Sequence, residues 1–158
     1  IILNGHGGNT AAINAVGMHL IRKGAYLAIL NWWLMAGQIN PEWAGGHGGG
    51  EETAGVMAID PKLIKTEYLH LPEGTRNDVS DELPYAAWTN VSYKGVNITI
   101  PREIRHITDN GWLAHSFPHD VPGRATEEWG KKMLQTMADY IADFGAAFGR
   151  APLPEKVE

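Results

Sequence analysis

The stretch Ile1-Ile2-Leu3-Asn4-Gly5-His6-Gly7-Gly8-Asn9 decides how the chain is read. A short apolar run breaks off into a turn of three glycines around one histidine. Apolar runs of this kind are buried strands of a parallel sheet, and ligands of open α/β sheets bind just beyond the carboxyl ends of such strands. His6 therefore stands at a strand end, among backbone amides that glycine leaves approachable, with Asn9 placed to cap a following helix. A metal ligand or a catalytic base suits that position. The bland alternative is a structural histidine bonded to a nearby carbonyl.

The next segments extend the pattern. Ile13, Val16, Leu20 and Ile21 have helical spacing between Asn9 and Lys23, and Gly24 suits the position past the helix end. Residues 25–30 form a second apolar run leading to Asn31, Trp32 and Trp33, which completes a strand–helix–strand unit. Residues 34–50 are expected as a loop, with Pro41, Trp43 and the glycine run around His47. Glu51 and Glu52 open a short helix that stops near Asp60 and Pro61, and acidic residues there suit its dipole. Being adjacent, the two carboxylates point in different directions, so one is expected at the site and the other in solvent. Residues 62–93 are turn-rich, 95–100 alternate as a strand, and 109–123 are a loop. Thr126 caps the clearest helix, with Met133, Met137, Tyr140, Ile141, Phe144 and Phe148 as its apolar stripe. The fold class expected is α/β, with residues 1–158 as one domain.

Composition narrows the function. With 158 residues and 44% apolar content the chain can build a core, and its net charge of −5 gives no reason to expect nucleic acid or an anionic membrane as partner. The absence of cysteine excludes disulfides, thiolate metal sites and a cysteine nucleophile. No stretch reaches membrane-spanning length and no signal peptide is visible, which leaves the cytoplasm as the default compartment. Because the chain starts on a strand without methionine, it is expected to be a fragment or one product of a split or processed protein.

His47, inside a run of glycines and five residues before Glu52, is the second candidate, since a histidine and a carboxylate at one helix start can share proton work. A merely flexible loop is the alternative. Trp33 and Trp43 lie at the presumed binding edge and could clamp a small flat ligand, whereas Trp88, Trp112 and Trp129 are expected in the core. His115, His119 and Asp120 share a loop that does not align them for a metal. His19, His70 and His106 are expected at the surface. No Walker motif, dinucleotide fingerprint or G-x-S-x-G occurs.

Two motifs together, Asn4-Gly5-His6-Gly7-Gly8-Asn9 and His47-Gly48-Gly49-Gly50-Glu51-Glu52-Thr53, resemble the creatininase family of metal-dependent amidohydrolases. The tail Gly123-Arg124-Ala125-Thr126 before a long helix is also similar to the family's ending. The resemblance implies a three-layer α/β/α sandwich with a mostly parallel sheet, usually a homohexamer, with one or two divalent metals: zinc first, manganese or iron as alternatives. It makes His6 a metal ligand, His47 the proton donor to a leaving nitrogen and Glu52 a supporting carboxylate. Trp33 and Trp43 would wall a small-molecule substrate, with Gly48 and Gly49 beside it. The family's other metal ligands, a Glu-x-His pair and an Asp, belong to an N-terminal part not found in this sequence. Some members also carry a glutamate ligand where this chain has Gly8, while other branches have glycine there. The expected function is hydrolysis of a C–N amide bond in a small, cyclic or flat substrate. Its rivals are a non-catalytic subunit of a creatininase-fold oligomer and a small-ligand binding module.

Overall fold

Strand β1 (Ile2–Asn4) pairs in parallel with β2 (Ile29–Asn31), so that Asn4 faces Asn31 across the ladder. Helix α1 (Thr10–Arg22) joins them, and Gly24 takes the positive φ of 81° that a residue past a helix end often requires. The expected βαβ unit is therefore present. The computed structural model describes residues 1–114 and 117–156. Asn9 is a correction: its side chain caps nothing, because its amide donates to Asn4 Oδ1 at 3.3 Å, and Gly7–Asn9 forms a separate 3-10 turn before α1.

The expected loop over residues 34–50 is in part a helix. α2 (Trp32–Ile39) starts directly at the end of β2, and a 3-10 turn at Pro41–Trp43 follows, capped by Asn40 Oδ1 accepting from Glu42 N at 3.1 Å. Five consecutive apolar residues, Trp32 to Ala36, show no periodicity, so the helix has no amphipathic signature. Helix α3 (Gly50–Ile59) packs on the C-terminal helix α5 (Glu127–Phe148), with Ala54 buried and Gly130 small enough for close approach. Thr126 caps α5 as expected, its hydroxyl accepting from Trp129 N at 3.0 Å. Met133 and Met137 enter the core, Ile141 packs against it, and Tyr140 falls outside the stripe at 52% exposure. The core itself joins α2 and α5 through Met35, Ala36, Trp43, Met133 and Met137.

Between α3 and α5 lies an antiparallel sheet of β3 (Tyr85–Ala87), β4 (Asn90–Tyr93) and β5 (Val96–Thr99), followed by the short helix α4 (Ile104–Ile107). Lys94 and Gly95, at φ 51° and 81°, make the tight turn of the β4–β5 hairpin. Helices and strands are thus mixed, as the α/β reading requires. The sheet is not mostly parallel among the described residues, because only β1 and β2 run parallel, against three antiparallel strands. Around the parallel pair, Ile1, Leu3, Val16 and Met18 are exposed. No helix among the described residues is long and apolar enough to cross a membrane.

Candidate functional site

The glycine turn after β1, the start of α2, residues 46–47 and the segment from β3 to α4 enclose a cavity of about 480 Å³. His6, Trp33, His47 and Glu52 all line it. Trp43 does not: it is only 6% exposed and sits in the core, because the Pro41–Trp43 turn directs its ring against α2 and α5. That corrects the expectation that Trp33 and Trp43 share one pocket. Gly48 and Gly49 are also absent from the lining, where Gly46 stands instead.

Asn4 builds the His6 end of the site. It is fully buried, and its amide donates to Asn31 Oδ1 at 2.8 Å while its carbonyl oxygen accepts from His6 N at 3.2 Å. The parallel register that sets Asn4 opposite Asn31 thereby shapes the turn. His6 is exposed, and its Nδ1 accepts from Gly8 N at 3.1 Å. A neutral imidazole that accepts at Nδ1 carries its proton on Nε2, so in this orientation the ring offers a donor rather than a lone pair. No group of three or more His, Asp or Glu side chains that could hold a metal converges among the described residues. Those residues alone therefore do not fit a metal ion; His6 can supply one ligand after its ring exchanges the Gly8 hydrogen bond.

His47 is held by its main chain. Its N–H donates to Leu113 O at 2.9 Å, and its carbonyl accepts from Leu113 N at 2.8 Å. Its ring meets Trp88 edge-on at 6.0 Å between centroids, and among the described residues its ring nitrogens make no hydrogen bond, which leaves them for a ligand. Glu52 Oε2 accepts from Gly48 N at 2.6 Å and so fixes the backbone next to His47. The glycines around His47 have a steric reason beyond flexibility. A Cβ on Gly46 would lie 1.8 Å from Leu113 O, and one on Gly49 would lie 1.9 Å from Asp120 Oδ2.

Glu51 is the larger surprise. It is not a solvated first-turn acid but is 1% exposed, with neither carboxyl oxygen hydrogen-bonded among the described residues. Burial, then the charges of Asp120 and Glu52, push its pKa up to about 9, so it is neutral at pH 7. Asp120 is fully buried beside it and accepts from Gly46 N at 2.7 Å and Glu51 N at 3.0 Å. One carboxylate thus fastens both ends of the His47 loop. His119 Nε2 lies 2.8 Å from Ala44 O, in keeping with a structural role, and His115 lies outside the described residues.

Sequence reasoning missed several lining residues, Trp32, Trp88 and Arg102 among them. Trp32 ties its indole N–H to Gly5 O at 3.3 Å. Trp88, expected in the core, is 44% exposed at the cavity and has a positive φ of 46°. Arg102 reaches the cavity from the segment between β5 and α4. The unusual tryptophan content was a signal for the first two; nothing local marks Arg102.

No curated protein and no solved structure matches the chain. The sequence profile of a family described as creatininase, creatinine amidohydrolase, matches residues 1–144. With both glycine–histidine motifs inside that span and converging on one cavity, the chain belongs to the creatininase family.

Proposed function

We propose that this chain is an amidohydrolase that cleaves the C–N bond of a small amide, with a flat cyclic amide as the fitting substrate. Family membership supports hydrolase chemistry. The observation that carries the reading is the shared cavity of His6, His47 and Glu52, with Trp33 as an aromatic wall. An amide nitrogen leaves only when protonated, and imidazole is the side chain suited to deliver that proton at neutral pH. His47 is the donor in this reading, because its backbone is pinned on both sides and its ring nitrogens are open. Glu52 keeps the loop in place through Gly48 N. The family is generally metal-dependent, and a divalent ion, if held here, would supply polarisation of the amide carbonyl and activation of water. Zinc is the proposed ion, with manganese and iron as alternatives, and His6 one of its ligands. The other ligands are to be sought outside the described residues. The three-layer sandwich and a homohexamer belong to the same proposal; the exposed Ile1, Leu3, Val16 and Met18 are surface that such an assembly could cover.

A second reading, a non-catalytic subunit or binding module, is favoured by the lack of a three-ligand metal cluster among the described residues. The experiment is a panel of small cyclic amides incubated with wild-type protein and with His47→Ala, each supplied with zinc or manganese and analysed for bound metal. Loss of a general acid lowers kcat by about 100-fold or more, with metal content unchanged. Loss of metal in the variant makes His47 a ligand instead. Absence of turnover in metal-loaded wild type supports the second reading.

A further inference from the structure

Arg102 has a charge that nothing in the described protein answers. Its Nη1 donates to Asn77 O at 2.8 Å, yet Nε and Nη2 are shielded from water and have no hydrogen-bond partner among the described residues. None of the ion pairs formed among the described residues involves it. A guanidinium with shielded, unanswered donors is costly unless an anion completes it. The two free groups are not arbitrary. Nε–H and the neighbouring Nη2–H form the side edge of the guanidinium, where two parallel donors match the two oxygens of one carboxylate. The same side chain lines the cavity that holds His47, Glu52 and the tryptophans. Glu52 does not serve as the anion: it forms no ion pair with Arg102, and its Oε2 takes the Gly48 N–H. Among the described residues no other lysine or arginine lines the cavity, which favours a singly charged carboxylate over a phosphate dianion.

We propose that Arg102, whose Nε–Nη2 edge is shielded in the unliganded chain, turns that edge into the cavity it lines to receive a carboxylate of the ligand, so that this cavity takes a flat amide or ureide bearing a carboxylate. The substrate class rests on the proposed hydrolase function, but the anion-binding role does not, because it can be measured without turnover.

Orotate and uracil are suitable probes. They share a flat ring with amide groups and differ by one carboxylate. Titration calorimetry on the full chain should give orotate at least about tenfold tighter binding than uracil, the effect expected of charge-assisted hydrogen bonds. Arg102→Gln should bring the two ligands within about threefold, with the loss falling mainly on orotate. Arg102→Lys retains the charge but not the fork, and should keep only part of the preference. If the glutamine variant does not fold, the lysine variant decides: a reduced orotate-to-uracil ratio supports the proposal and an unchanged ratio overturns it. Equal binding of both probes by wild type, binding of neither, or a preference that survives Arg102→Gln each overturns it. So does a variant that alters assembly size and not the ratio, since Arg102 would then be neutralised by protein. Failure of the amide panel to turn over leaves this ratio measurable and tests only the hydrolase reading.

Discussion

Replacing Glu51 by glutamine should stabilise the protein, and increasingly so as pH rises. Glu51 is 1% exposed, and its pKa is pushed from 4.5 up to about 9 by burial and by the neighbouring charges of Asp120 and Glu52. Between those values the folded protein holds a proton at this site that the unfolded chain releases. The unfolded state then binds one proton fewer, so wild-type stability falls as pH rises, by about 1.4 kcal/mol per pH unit. Below pH 4.5 both states are protonated and the contribution is fully present; it is lost progressively until the folded state ionises near pH 9. Glutamine is neutral in both states and of similar shape. At pH 5 the variant should therefore nearly match wild type, and at pH 8 it should be more stable by about 4 kcal/mol, counted over three pH units. Urea unfolding of both proteins at pH 5, 6, 7 and 8 measures this, because every other titrating group cancels in the difference. A stability difference that stays constant over that range refutes the claim that Glu51 is folded away in its neutral form.

Two further substitutions test the placement of side chains. Trp43→Ala, in the core, should cost about 3–5 kcal/mol of stability and leave the orotate affinity of the folded protein unchanged, whereas Trp33→Ala should cost less and weaken binding; calorimetry showing the reverse assignment would contradict the cavity described above. Asp120→Asn loses one of two charge-assisted acceptors for Gly46 and Glu51 N–H groups, which should cost about 1.5–3 kcal/mol and lower amide turnover by disordering the His47 loop. An Asp120→Asn protein with wild-type melting behaviour and activity removes Asp120 from that role.

Much that is local could be read directly. The apolar run ending in Asn4-Gly5-His6 placed β1 and its turn, because a strand end followed by glycines is written in consecutive residues. Thr126, two glutamates and a periodic stripe placed α5 to within a residue, since capping and amphipathicity are properties of one segment. The two histidine motifs likewise announced both sides of the cavity. α2 escaped because its residues are apolar all round, so it carries no period to detect.

What the sequence determined by itself is a set of short elements and the residue types able to do proton and metal chemistry. Which of them meet was decided only by the fold. Adjacency on a helix says that Glu51 and Glu52 diverge, but only the fold buries Glu51, which with the neighbouring charge of Asp120, far along the chain, keeps it neutral, while Glu52 lines the cavity. Trp43 and Trp88 exchange their expected places for a similar reason. The Pro41–Trp43 turn drives one ring between α2 and α5, while the connection between β3 and β4 carries the other to His47. Burial and cavity lining depend on contacts between segments distant in sequence, and no local pattern encodes such contacts.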